Sequence, residues 1–132
     1  MLSAREFFKA SKQRFTVAEW LMKEYPLDAL YIAGYSVECA LKALIMHTTP
    51  TADQADTFAK ITSSAKMHYP ENLKDILKTK GCVIPFEYVK KLRRFGWTTQ
   101  LRYETGRRPP SEVRGYLRVA KNVIDWVQGE MK

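Results

Sequence analysis

The sequence contains few of the residues that build covalent or metal-bound frameworks. Its 132 residues include two cysteines, Cys39 and Cys82, and two histidines, His47 and His68. Two cysteines can form neither a disulfide framework nor a four-cysteine zinc site, and we expect no metal or other cofactor. With 45% hydrophobic and 27% charged residues, the composition is that of one globular domain over residues 1–132. The scarcity of cysteine indicates a reducing, cytoplasmic setting.

The chain also lacks the local patterns of the common enzyme classes. It has no glycine-rich phosphate loop, no strand–turn nucleophile motif and no paired-cysteine zinc pattern. It has no extended alternation of apolar and polar residues, which argues against a β-sheet. The longest apolar-rich stretch, residues 27–46, contains Asp28, Glu38 and Lys42, which would be costly in a lipid bilayer. We therefore interpret it as a buried helix and expect no membrane association.

Helical periodicity is the main signal in the first half of the chain. Ser3 and Glu6 have the spacing of a capping box, and apolar residues then recur at intervals of three and four before Pro26 interrupts the helix. A second helix is predicted over residues 28–47, with apolar residues around most of its circumference, as in the central helix of a bundle. Gly34 costs this helix about 1 kcal/mol relative to alanine, so we expect another helix to approach closely there.

Proline and glycine divide the second half of the chain into shorter helices. Pro70 precedes a short helix that ends at Gly81, Pro85 starts another, and Ser111 is expected to cap the last one. The predicted fold class is therefore all-α, an up-and-down helical bundle of about four long helices with additional short ones.

Two of the later helices are expected to have one apolar and one basic face. In the helix after Pro85, the predicted inward residues are Phe86, Val89, Leu92 and Phe95, with Lys90, Lys91, Arg93 and Arg94 on the other side. In the last helix they are Val113, Tyr116, Leu117, Ala120, Val123, Ile124 and Val127, with Arg114, Arg118 and Lys121 outside.

Positive charge is concentrated in one quarter of the chain. The whole chain has 22 Lys and Arg against 14 Asp and Glu, a net charge of +8. Residues 90–121 contain ten of the basic residues and only two acidic ones, so this segment accounts for the excess. Such a block indicates an anionic partner, such as nucleic acid, a nucleotide or an acidic protein. The alternative is a charged face that serves only solubility.

The predicted central helix contains a sequence motif that is similar to that of a known protein family. Glu38 and Lys42 have the spacing of a surface ion pair worth ~0.3–0.5 kcal/mol, but they belong to the sequence AGYSVECALKALI at residues 33–45. This sequence resembles the signature helix of the HEPN domain family. Residues 68–77 are similar to that family's segment of a histidine followed by leucines, and residues 101–103, Leu-Arg-Tyr, are similar to its Arg-Tyr motif before the last helix.

The resemblance implies a helical bundle that binds nucleotides or RNA, often as a homodimer and often beside a nucleotidyltransferase-type or antitoxin partner. Many members of the family are metal-independent ribonucleases that use an arginine followed a few residues later by a histidine. In this chain Arg107, Arg108 and Pro109 occupy those positions after Arg102, and no histidine follows. We therefore expect a nucleotide- or RNA-binding protein, which would fit a toxin–antitoxin or nucleotidyltransferase-associated system.

The candidate nucleotide- or RNA-binding residues are Arg102, Tyr103, Arg107, Arg108, Arg114, Arg118 and Lys42. Tyr103 and Trp97 are either base-stacking residues or core aromatics. Two other functions stay open. One is a metal-independent endoribonuclease toxin with Arg102 and His68 as catalytic residues, because RNA cleavage needs a proton acceptor that titrates near neutrality and a cation beside the phosphorane. The other is a protein–protein adaptor with a basic face.

Overall fold

The structure is a computed structural model that describes all 132 residues, and its regular elements are all helical. The six α-helices are α1 (Ala4–Leu21), α2 (Pro26–His47), α3 (Gln54–Thr62), α4 (Pro70–Thr79), α5 (Phe86–Phe95) and α6 (Pro110–Glu130). Short 3-10 helices span Thr51–Asp53, Ala65–His68 and Thr99–Tyr103. The all-α class is confirmed. Three helices are long, with 18, 22 and 21 residues, instead of about four.

Helix α2 lies at the centre of the bundle, as its apolar circumference predicts. Helices α1, α4 and α6 all pack against it, and its pairing with α1 is the most extensive. The side chains of Leu41 and Leu44 are completely buried. By length and composition, α2 is also the one helix that could cross a membrane, and most of it is buried within the fold.

The first two helix starts follow from local sequence. The Ser3 hydroxyl accepts a hydrogen bond from the Glu6 N–H, and the Glu6 carboxylate accepts one from the Ser3 N–H, both at 3.1 Å. The predicted capping box is therefore confirmed. Pro26 does more than interrupt α1, because it occupies the first position of α2. Proline suits the first helical position, because an N–H there would have no partner within the helix and proline has none. Helix α2 therefore begins two residues earlier than predicted.

The prediction that Ser111 caps the last helix is wrong. Helix α6 begins at Pro110, so Ser111 lies inside its first turn, and no side chain caps this end. Pro110 has a fixed φ suited to a first helical turn and no N–H that needs a cap. By contrast, Gly81 and Pro85 do fall between α4 and α5, and Gly81 has a φ of +82°, a conformation that glycine adopts without strain.

The predicted inward faces are largely confirmed. All seven inward residues of α6 are buried, and so are Val89 and Leu92 of α5. Phe95 is half-buried and contacts Tyr116 edge-on, at 5.3 Å between ring centroids. Phe86 was placed wrongly, because it is exposed. It is the first residue of α5, and this end of the helix is uncovered.

The close approach at Gly34 is confirmed, but the neighbour is a side chain instead of a helix. The indole of Trp97 lies directly on Gly34, so that a Cβ atom there would overlap the ring. The indole N–H is shared between the carbonyl oxygens of Leu30 and Tyr31, at 3.1 and 3.2 Å. Trp97 is buried, which rules it out as a base-stacking residue. It anchors the segment between α5 and α6 to the middle of α2.

We expect Gly34→Ala to destabilise the fold, although alanine is the better helix former by about 1 kcal/mol. The new methyl group would displace the Trp97 indole from both carbonyl oxygens, and such overpacking typically costs about 1–3 kcal/mol. Chemical denaturation measures the free energy of unfolding. The matched control is Gly129→Ala in α6, because nothing lies near the added carbon at that position. This variant should be neutral or slightly stabilising. Equal effects of the two variants would contradict the anchoring role of Trp97.

Candidate nucleic-acid interface

An aromatic cluster forms one face of the first half of α2. Tyr31 and Tyr35, one turn apart, meet edge-on with ring centroids 5.1 Å apart and hydroxyl oxygens 3.2 Å apart. Trp97 stacks on Tyr31 at 6.1 Å and meets Tyr35 edge-on at 5.3 Å. Burial and the hydrogen bond with Tyr31 raise the pKa of Tyr35. Its hydroxyl therefore stays protonated at neutral pH.

Glu38 and Lys42 form a buried ion pair, not the surface pair expected from their spacing. The Lys42 ammonium donates to Oε2 of Glu38 at 2.7 Å, and the two residues are only 4% and 7% exposed. Because other helices surround the middle of α2, these two charged positions are enclosed. Lys42 is therefore not available to an external phosphate, and we exclude it from the binding surface.

The second oxygen of the Glu38 carboxylate holds His68. Oε1 of Glu38 lies 3.0 Å from Nδ1 of His68, and the Tyr35 ring packs edge-on against the imidazole at 5.9 Å between centroids. A neutral imidazole that donates from Nδ1 to a carboxylate leaves Nε2 as a proton acceptor. The His68 side chain is 38% exposed, so it remains accessible to solvent.

Arg102 lies at the other end of the aromatic cluster. It belongs to the 3-10 helix Thr99–Tyr103 that Trp97 holds against α2, and its guanidinium lies 4.9 Å from the centroid of the Tyr103 ring. Interaction with Tyr103, and then with Tyr31, raises the pKa of Arg102, so it stays charged. The structure thus places Arg102 and His68 on the same side of α2, with Tyr31 and Tyr35 between them.

Three further predicted arginines lie around the end of α1: Arg114 and Arg118 border its second half, and Arg107 borders the turn that follows it. Arg107 lies in the loop before α6 and shares a surface hollow with Tyr25 and with three acidic residues, Glu24, Asp28 and Glu104. Arg114 and Arg118 line a groove of about 300 Å³ between α1 and α6. All three are exposed, and none has a carboxylate within ion-pair distance.

Arg108 differs from these arginines because its charge is already compensated. It forms two hydrogen bonds to the carboxylate of Glu104, at 2.8 and 2.9 Å, and reaches Glu112 at 3.4 Å. The hydrogen bonds to Glu104 raise the pKa of Arg108 and lower that of Glu104. Arg108 therefore positions the loop before α6, and we do not count it as a free cation.

Five of the predicted residues remain as an accessible set, which we call the basic surface: Arg102, Tyr103, Arg107, Arg114 and Arg118. Sequence analysis did not distinguish Tyr31 and Tyr35 from the other apolar residues of α2, and so missed the aromatic cluster that they form with Trp97. It also missed the contact of Glu38 with His68, because the two residues are 30 positions apart and nothing local relates them. No cluster of three or more His, Cys, Asp or Glu side chains is placed to bind a metal ion.

Comparisons with protein-family models, curated proteins and solved structures found no match to this chain. The resemblance to the HEPN family thus has no support from them. The site has to be interpreted from its own residues.

We expect removal of the Glu38 charge to destabilise the fold strongly, because it leaves the Lys42 ammonium buried without a partner. Glu38→Gln should lower the free energy of unfolding by about 3–5 kcal/mol. Lys42→Met in the same chain should recover part of that loss, because the double variant buries no lone charge. Lys121→Met breaks an exposed pair of the same spacing with Asp125 and should cost below ~1 kcal/mol. A double variant no more stable than Glu38→Gln would contradict this account.

Proposed function

We propose that the protein binds single-stranded RNA through the basic surface. The observation that carries this proposal is a set of four exposed arginines without carboxylate partners, one of which, Arg102, lies against the exposed Tyr103. Arginine side chains bind phosphate through paired N–H donors and stack on bases. Unpaired arginines give up no ion pair when they bind phosphate, which distinguishes them from Arg108.

Tyr103 is the stacking residue in this proposal. Its ring is 69% exposed, and one neighbour is the guanidinium of Arg102. Single-stranded nucleic acids are bound by aromatic rings that stack on bases beside cations that contact the backbone. Unlike Trp97, Tyr103 has an open ring surface. A free nucleotide would use the same pair of residues with fewer phosphate contacts.

We further propose that the bundle is of the up-and-down HEPN type. In support, the three segments that resemble the family lie around α2: residues 33–45 within it, His68 bonded to Glu38, and Arg102 beside Tyr31. Residues far apart in sequence thus meet at one surface. A toxin–antitoxin or nucleotidyltransferase-associated setting would follow from that family membership.

A metal-independent endoribonuclease is the second candidate, and the bond between Glu38 and His68 favours it. Nε2 of His68 would accept the proton of a ribose 2′-hydroxyl. The 2′-oxygen then attacks the adjacent phosphorus, and the 5′-oxygen leaves with a proton from water, giving a 2′,3′-cyclic phosphate. Arg102 would stabilise the charge of the phosphorane. The two residues lie beside neighbouring tyrosines of α2, because His68 packs against Tyr35 and Arg102 interacts with Tyr31, one helical turn away.

RNA affinity should fall steeply with salt. Each neutralised phosphate contributes about −0.7 to the slope of log affinity against log salt for single strands, so four arginine contacts predict a slope of about −3. The double variant Arg107→Gln with Arg118→Gln should bind more weakly and flatten the slope by about 1.4. Fluorescence anisotropy with a labelled oligoribonucleotide measures both quantities.

The control for this experiment removes the same charge elsewhere. Arg5→Gln with Lys9→Gln changes exposed residues in the first half of α1, whereas the basic surface borders its second half. This control should leave the slope nearly unchanged. Equal effects of the two double variants would show that net charge alone drives binding. Undetectable or salt-insensitive RNA binding would favour the third function, an adaptor that binds an acidic protein.

Cleavage activity separates the two RNA-related functions. A nuclease should cut single-stranded RNA in the presence of a chelator, and Arg102→Ala and His68→Ala should each abolish cleavage while the helical content is retained. His47→Ala changes the other histidine, exposed at the end of α2, and should have no effect. Product ends identified by mass spectrometry should be 2′,3′-cyclic phosphates. If His68→Ala changes neither cleavage nor RNA binding, His68 has only a structural role.

We also propose that the protein forms a homodimer. Trp20 is 80% exposed on α1, and Val17, one turn before it, is also exposed. Tryptophan is enriched at the centres of protein interfaces. Analytical ultracentrifugation at micromolar concentration should give twice the chain mass of 15.3 kDa. Trp20→Glu should yield monomers, whereas Phe86→Glu, at another exposed aromatic residue, should not. A monomeric unmodified protein would reject the dimer.

A further inference from the structure

A cavity on the far side of Trp97 from α2 is not explained by RNA binding. It has a volume of about 170 Å³ and lies between α4, α5 and α6. Its apolar wall is formed by Tyr69, Ile84, Val89, Leu92, Trp97 and Tyr116. None of these residues belongs to the basic surface. The space exceeds the roughly 150 Å³ of an apolar protein cavity that holds one benzene molecule, so it is large enough for a single six-membered ring.

One polar group in this wall has no partner. Tyr116 is 1% exposed, and its hydroxyl makes no hydrogen bond within the protein. No completely enclosed side-chain nitrogen or oxygen in the structure lacks a hydrogen-bond partner, so the unpaired hydroxyl is not completely enclosed. Because Tyr116 lines the cavity, we infer that its hydroxyl faces this space. Burial raises the pKa of Tyr116. The group is therefore a neutral hydroxyl that can donate or accept one hydrogen bond inside an apolar space.

The mouth of the cavity carries no net charge. Arg93 and Glu71 also line it, and both are more exposed than the wall residues. Their side chains form an ion pair, with N–O distances of 2.7 and 2.8 Å. Glu71 also lies 3.5 Å from Lys74, which in turn pairs with Asp75 at 3.1 Å. Two basic and two acidic side chains therefore balance at the mouth, which favours a neutral ligand.

We propose that this cavity binds a neutral, single-ring aromatic molecule with one hydrogen-bonding group, of the size and polarity of phenol. The ring packs among the aromatic side chains of Tyr69, Trp97 and Tyr116, where edge-on and offset contacts are favourable. Its polar group pairs with the Tyr116 hydroxyl, which removes the cost of leaving a buried polar group without a partner. This site is separate from the basic surface and does not depend on the proposed RNA binding.

The test compares two probes that differ in one hydroxyl group. Binding of 4-fluorophenol and of fluorobenzene is measured by ¹⁹F NMR titration of the full chain. Both should bind. Tyr116→Phe should weaken 4-fluorophenol about fivefold, the range expected for one hydrogen bond, and leave fluorobenzene unchanged. If Tyr116→Phe lowers the affinity for both probes equally, or lowers the affinity for neither probe, the assigned hydrogen bond is overturned.

Filling the cavity tests its location. Val89→Phe places a ring inside the wall and should abolish binding of both probes, while Val83→Phe, at an exposed position nearby, should leave both affinities unchanged. Ile84→Phe fills the cavity from another side and provides the same test if Val89→Phe fails to fold. RNA affinity should stay the same in all these variants. The proposal is overturned if neither probe binds at millimolar concentration, or if a folded cavity-filling variant binds them as well as the unmodified chain.

Discussion

The contact between the Trp97 indole and Gly34 is the constraint that holds the segment between α5 and α6 against the central helix. Only a glycine lets the ring reach the backbone of α2, where two carbonyl oxygens share its N–H. The segment that follows Trp97 carries Arg102 and Tyr103, so their position is fixed by this contact. The opposite side of the same indole lines the cavity between α4, α5 and α6. One side chain thus contributes to both candidate sites.

Glu38 has a comparable role on the polar side of α2. Its two carboxylate oxygens bind different partners, Lys42 inside the bundle and His68 at its edge. A buried ion pair contributes little net stability compared with apolar residues, so its specific effect here is to position the imidazole. The same carboxylate therefore meets a packing requirement and orients the one histidine that lies beside the aromatic cluster.

Periodicity and turn residues were enough to predict the helices, since each depends on neighbours in sequence. The capping box at Ser3, the break at Gly81 and the buried stripe of α6 are of this kind. Apart from the start of α6, where Pro110 and not Ser111 decides, the errors arose where tertiary packing decides. The spacing of Lys42 with Glu38 is that of a surface ion pair, yet the surrounding helices enclose both residues. Trp97 lies in a basic segment, but it is buried because Gly34 has no side chain and so leaves space for the indole on α2. This contact joins distant residues, so no local sequence pattern predicts it.

The hydrogen bond from Trp97 to Leu30 joins residues 67 positions apart, and this separation has a consequence for folding. The hairpin of α1 and α2 needs only a four-residue connection, whereas the indole must close a long loop, with a larger entropic cost. Contacts that are distant in sequence slow folding because that cost precedes any gain. The segment from Trp97 to Arg102 is therefore expected to become ordered late, after the hairpin of α1 and α2 has formed.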